Sequence, residues 1–227
     1  MAIELCEHLI DAIAQYGATA PMARGRLITI EGIDGAGKTT LAAALAAALA
    51  DRGVGVRALR EPGGVVLAER IRELVKDPAL RVGARAEALL YAAARAQLVE
   101  EAVAPLLESG TWVLLDRFVD SSLAYQGAGR GLGIDDVRTI NEFATGGLRP
   151  DRTVLLTVDP QLGRSRARSR AEPIDRLEAE RDEFFDRIAA AYGELAAHEP
   201  ERIKTINASD PPDQVLAAAL EALADLT

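Results

Sequence analysis

The stretch GIDGAGKTT (Gly32–Thr40) fills the pattern G-x-x-x-x-G-K-[ST] at each fixed position, with Gly32, Gly37, Lys38 and Thr39. Each residue type has a task there. Glycines let backbone N–H groups turn inward around a phosphate, and the N-terminus of a following helix adds partial positive charge. Lysine reaches the β/γ-phosphates of a nucleoside triphosphate, and the threonine hydroxyl suits Mg²⁺. Ile33, Asp34, Gly35, Ala36 and Thr40 complete a loop of the length that wraps ATP. The chain has only three lysines, Lys38, Lys76 and Lys204. With this composition a chance match arises roughly once in several hundred chains, so the loop reads as functional. Asp34 is the odd member, a carboxylate inside a loop that holds anions. An acid that only favours the dipole of the next helix is one reading of it.

A second set of groups follows the apolar run WVLLD. Asp116 stands where an open α/β sheet places its ligands, and an acid there holds Mg²⁺ through water. Arg117 beside it suits a bidentate phosphate contact, although an Asp-Arg pair alone reads equally as a surface ion pair. Further on, RSRARSRAEPIDR carries Arg164, Arg166, Arg168, Arg170 and Arg176. So many like charges leave little to form a core. Beside a phosphate loop in an acidic chain, they predict a mobile arginine-rich lid over about 163–177 that closes on phosphates and excludes water.

What is missing narrows the chemistry. The two histidines, His8 and His198, lie away from every motif, and neither a Cys/His metal set nor a G-x-S-x-G nucleophile occurs. A phosphate acceptor needs none of these, because its oxygen is already anionic at neutral pH. Alignment and charge neutralisation then carry the reaction.

Those groups need a scaffold, and the pattern supplies one. LITIE (Leu27–Glu31), VGVRAL, WVLLD (Trp112–Asp116), TVLLTV (Thr153–Val158) and RIKTIN read as strands. Helical stretches lie between them: LAAALAAALADRG with Leu41, Leu45 and Leu49 on one face, residues 64–76, residues 84–108 and the closing PDQVLAAALEALADL. The first of these is expected to be a capped amphipathic helix. Alternation of this kind predicts a parallel sheet with helices on both faces, and runs such as WVLL fit burial on both sides. At 227 residues, 49% of them apolar, one α/β domain over 26–227 is expected, with residues 1–25 as an N-terminal extension and Met22 as an alternative start. A net charge of −9 argues against a nucleic-acid coat or an anionic membrane surface. The lone Cys6 fits a reducing compartment, and the acidic start is no secretory signal, so a cytoplasmic protein is expected.

Together EGIDGAGKTT, REPGG, YAAARAQL, DRFVDSSLAYQGAGRG, RPD and the arginine run followed by DRLE resemble the bacterial thymidylate kinases, from about Leu27 onward. The resemblance implies a three-layer P-loop fold with a five-stranded parallel sheet, a homodimer, Mg²⁺ as cofactor, and phosphorylation of dTMP to dTDP by ATP. It implies that Arg117 holds the dTMP phosphate, that Arg95 lies near base and phosphate, and that Tyr91, one helical turn from Arg95, stacks on thymine. Many members have Phe at that position. Ser122, Tyr125 and Gln126 would read the base edge and crowd the sugar 2′ position, Arg60 and Pro62 would wall the monophosphate pocket, and Asn207–Pro211 would flank adenine. Without an arginine in the loop, the chain resembles the members whose catalytic arginine is in the lid. Arg168 is the nearest match, with Arg164 and Arg166 as neighbours. Asp34 would accept a hydrogen bond from the deoxyribose 3′-hydroxyl.

Two other readings remain at this point. A deoxynucleoside kinase would need a carboxylate base, for which Glu31 or Glu61 stands available. A nucleotide-driven switch is the other, although no N-K-x-D guanine motif is present.

Overall fold

A computed structural model describes residues 23–169 and 176–227. Five strands, β1 (Leu27–Glu31), β2 (Val56–Arg60), β3 (Trp112–Asp116), β4 (Arg152–Thr157) and β5 (Ile203–Asn207), form one parallel sheet in the order β2-β3-β1-β4-β5. The strands that read as continuous apolar runs are the inner three. All five residues of β1 are buried, as are the first four of β3 and the first five of β4. Both faces are covered. Trp112 and Leu114 point into one core cluster with Ile28, Ile30, Leu45 and Leu49, while Val113 and Leu115 point into another with Leu27, Leu98 and Leu107. That period of two across β1 and β3 makes three layers of helix, sheet and helix. The less apolar β2 and β5 are the edges.

Helix α1 (Lys38–Asp51) buries Leu41, Leu45 and Leu49 as their spacing requires and gives way at Gly53, whose φ is 82°. The expected cap is not there. Its N-terminal neighbour is Gly37 at φ 92°, with no side-chain bond to the first turn, and such an end is left open to anions. Helix α2 (Val66–Lys76) starts after Gly63 and Gly64, both at positive φ. The single helix expected over 84–108 is α3 (Ala84–Leu98), a π-helical stretch Val99–Val103, and α4 (Ala104–Glu108). Pro105, which has no N–H to donate back along the helix, begins the last piece. Helices α5 (Val119–Ser122), extended by π-helical Leu123–Gly129, and α6 (Ile134–Thr145) precede β4. After β4 come α7 (Pro160–Arg168), α8 (Asp182–His198), and, beyond β5, α9 (Pro212–Glu221).

The arginine-rich stretch departs from expectation in part. Its first half is helix α7, because Asp159 caps it through Gln161 N at 2.8 Å and Leu162 N at 3.1 Å, and Pro160 opens it. Residues 170–175 of the expected lid, and 1–22 of the expected extension, lie outside the described residues. No helix among the described residues is long and apolar enough to cross a membrane.

Candidate active site

The parallel register brings three loops to one place. Ile30 pairs with Asp116, Arg117 N donates to Ile30 O at 3.0 Å, and Glu61 N donates to Asp116 O at 2.9 Å. The ends of β1, β3 and β2 therefore sit side by side, at the switch point where strand order reverses around β1. A cavity of about 700 Å³ opens there. From the phosphate loop and α1 it is lined by Asp34, Gly35, Gly37, Lys38, Thr39 and Thr40. Arg60, Pro62, Tyr91, Arg95, Asp116, Arg117, Ser122, Tyr125 and Gln126 line it from the other loops and helices. The sequence placed the first group at a donor and most of the second at an acceptor. One cavity holds both. Gly32, Ile33 and Ala36 are buried in the loop's own backing rather than in the cavity wall.

Asp34 is not left facing anions alone. Its Oδ1 accepts from Arg117 Nη2 at 2.6 Å and its Oδ2 from the Tyr125 hydroxyl at 3.1 Å. Burial would raise its pKa, but the charges of Arg117 and Lys38 outweigh that and hold the carboxyl well below the usual range. Arg117 also donates to Gly32 O at 3.0 Å and Ser121 Oγ at 3.1 Å, and lies over the Tyr125 ring at 4.9 Å. Its backbone is at φ 74°, a left-handed conformation rare outside glycine. The turn is held from behind by Glu31, wholly buried, which accepts from Phe118 N at 2.7 Å and bonds Ser121 and Tyr192. Burial, with Asp120 nearby, raises the Glu31 pKa. Lys38 Nζ donates to Ile33 O at 2.9 Å. Burial and then Arg117 push its pKa down to about 8, against the pull of Asp34, Asp116 and Glu31.

The far wall of the cavity is already tightly bonded. Arg95 is 1% exposed and engages Glu61 Oε2 (2.8 Å from Nε), Ser122 Oγ (2.9 Å), Asn141 Oδ1 and Phe118 O (2.8 Å). All three of its nitrogens are thus committed to protein, so it shapes the wall more than it offers donors. Burial raises the pKa of its partner Glu61 to about 7, with Arg95 opposing. Gln126 Nε2 donates to Glu87 at 3.0 Å. Tyr91 is half-buried against the core, and Arg60 pairs with Glu69 while lining the mouth.

The arginines of α7 separate by position. Gly163 lies so close to Gly35 that a Cβ on Gly35 would meet Gly163 O at 1.9 Å. Two glycines thus seat α7 on the phosphate loop. Arg164 turns to Asp182 (3.1 Å) and over the Phe185 ring. Arg166 lines the main cavity and donates to Ala208 O at 3.0 Å. Arg168 lines a small side cavity with Asp34, Arg164 and Glu178. Asn207 lies outside both cavities and closes a turn with Ser209 N and Asp210, each at 3.0 Å. Arg72, Lys76, Ser121, Leu177 and Glu178 also line the main cavity, and none of them was expected at the site, although Ser121, Leu177 and Glu178 lie within the DRFVDSSLAYQGAGRG and DRLE motifs.

A family model described as thymidylate kinase matches residues 30–219, from the end of β1 into α9. The chain belongs to the thymidylate kinase family. Proteins named thymidylate kinase from Rhizorhabdus wittichii and Deinococcus radiodurans are each 48% identical over 204 residues. The matches cover 89% and 90% of this chain and 98% of each relative. A crystal structure of thymidylate kinase from Ehrlichia chaffeensis superposes with a TM-score of 0.74 at 29% identity, covering 88% of this chain and 99% of that one.

Thr39 Oγ1 lies 2.7 Å from Asp116 Oδ2, both in the cavity wall. Among the described residues no cluster of three or more His, Cys, Asp or Glu could cage a metal. One hydroxyl and one carboxylate suit Mg²⁺, which keeps several waters and takes phosphate oxygens in nucleotide sites.

Proposed function

We propose that the protein transfers the terminal phosphoryl group of ATP to dTMP, giving dTDP. The observation that carries this reading is the main cavity, in which the phosphate loop, Asp34 included, faces Arg117 and Tyr125. In this reading the loop residues Gly32–Thr40 bind the donor phosphates, and Lys38 stabilises charge on the group in transfer. Arg117 is placed to hold the acceptor phosphate, Asp34 to take the 3′-hydroxyl, and Tyr125 to close the space near the sugar's 2′ position. Arg60 and Pro62 wall the monophosphate, Tyr91 stacks on the base, and Ser122 and Gln126 meet its edge. Arg95 lies near the base and phosphate and holds Ser122. Thr39 directly, and Asp116 through water, would hold Mg²⁺. When bound it neutralises charge on the phosphoryl oxygens. Arg168 acts from the lid, with Arg164 and Arg166 beside it, and Asn207 flanks the adenine. No general base is needed, because the acceptor oxygen is anionic.

We also propose a cytoplasmic homodimer, with residues 1–25 outside the catalytic domain. Phe143 on α6, Leu67 and Leu74 on α2, and Leu89 on α3 are exposed apolar side chains that pairing with a second copy would cover. The activity is tested by incubating the protein with ATP, Mg²⁺ and dTMP and separating the nucleotides. Formation of dTDP by wild type and its loss in Lys38→Ala is the expected result; no dTDP from wild type refutes the reading.

A further inference from the structure

Behind the acceptor wall stands a wholly buried carboxylate for which phosphoryl transfer has no use. Glu87, in the first turn of α3, is 0% exposed. Its Oε1 accepts from Gln126 Nε2 at 3.0 Å and from Arg130 Nε at 3.2 Å. Its Oε2 accepts from Arg130 Nη2 at 3.0 Å and pairs with Arg176 Nη2 at 2.7 Å. Burial pushes the Glu87 pKa up, but the bonds from Arg130 and Gln126 outweigh it, so the group stays ionised. An ionised carboxylate only accepts hydrogen bonds.

That fact decides how the neighbouring amide is turned. Gln126 must give its NH₂ to Glu87, which directs its carbonyl oxygen elsewhere. The residue lines the acceptor cavity, and among the described residues no donor reaches its Oε1. Beside it, Ser122 Oγ accepts from Arg95, leaving its hydroxyl proton to donate. The wall therefore offers an acceptor and a donor together. With the Gln126 oxygen opposite position 3 of the ring, such a pair matches an imide edge, N–H next to C=O; in that register cytosine sets its bare N against the Gln126 oxygen and its NH₂ against the Ser122 proton.

We propose that Glu87 is a positioning residue that locks the Gln126 carbonyl oxygen toward the acceptor, and so selects a pyrimidine monophosphate with the imide edge of thymine or uracil over one with the edge of cytosine. The inference rests on the dTMP kinase reading above. A glutamine at position 87 both donates and accepts, so it frees the Gln126 amide to turn over. An aspartate keeps the charge that Arg130 and Arg176 need but withdraws from Gln126 by one methylene.

Steady-state kinetics with dTMP, dUMP and dCMP at saturating ATP test this on wild type, Glu87→Gln and Glu87→Asp. In both variants the dTMP-to-dCMP ratio of kcat/KM is expected to fall by about tenfold or more. The dUMP value should follow dTMP, and the KM for ATP should stay within about twofold. Gln126→Met should lower the ratio alone, and adding Glu87→Asp to it should lower it no further. Should Glu87→Gln fail to fold, the Glu87→Asp pair of measurements decides alone. A folded Glu87→Asp protein with an unmoved ratio, or one that slows all three substrates equally, overturns the inference. No dTDP from wild type overturns the functional reading and this inference with it; dTDP with an unmoved ratio overturns this one only.

Discussion

Removing the Asp34 carboxylate and the substrate's 3′-hydroxyl, separately and together, isolates the contact that joins the two halves of the site. Asp34 Oδ1 bonds Arg117 at 2.6 Å and Oδ2 bonds Tyr125 at 3.1 Å, and each oxygen retains a second lone pair. A hydrogen bond to a charged group contributes about 1.5–3 kcal/mol. Wild type should therefore prefer dTMP over its 3′-deoxy analogue by roughly 10- to 100-fold in kcat/KM. Asp34→Ala also strips Arg117 of its ion-pair partner, so both substrates will slow. The comparison survives that loss, because it is a ratio. In the variant the preference should drop to about 1. A preference as large in Asp34→Ala as in wild type would show that the acid serves only Arg117 or the helix dipole, and would refute the reasoning. The assay is a coupled measurement of ADP release with each substrate.

The lid arginines give a second test: Arg168→Ala should lower kcat far more than it raises the KM for dTMP. Arg166 is the one that lines the main cavity, so the same profile from Arg166→Ala would move the catalytic role by two residues. Tyr91→Ala should raise the KM for dTMP through lost stacking worth about 1–3 kcal/mol, and an unchanged KM would remove Tyr91 from the base site. Glu61 supplies a pH test of stability. Its pKa rises from 4.5 in the unfolded chain to about 7 in the fold, so the native state favours the protonated form. The stability this adds is full below about 4.5 and is lost as pH rises through about 7, on the order of 3 kcal/mol. Urea unfolding at pH 5 and pH 7.5 should show Glu61→Gln gaining on wild type by up to that amount, and an equal difference at both pH values would contradict it.

Much of this was legible because it is local. The phosphate loop is a contiguous pattern, and β1, β3 and β4 are apolar throughout because both faces of each are covered. Helix α7 was hidden because its arginines give no apolar face, and the fold holds it by a cap at Asp159 and a glycine contact at Gly35. Arg166 and Arg168, two positions apart on that helix, point to different cavities, a distinction that no spacing rule in an arginine run resolves. Arg95, in the cavity wall, is bonded to residues 23 to 46 positions away. Glu87 lies 39 positions from Gln126 and 43 from Arg130. Such pairings depend on tertiary register, so composition and periodicity carry no trace of them.

The central claim concerns one donor and one acceptor in one cavity, and a panel of acceptors addresses it directly. ADP release from ATP and Mg²⁺ should be measured with dTMP, dGMP, dCMP, dAMP and thymidine at equal concentrations. The account expects turnover with dTMP to exceed that with every other acceptor, and thymidine to be a poor acceptor because it brings no phosphate for Arg117 to hold. Turnover of thymidine or dGMP equal to or above that of dTMP would contradict it.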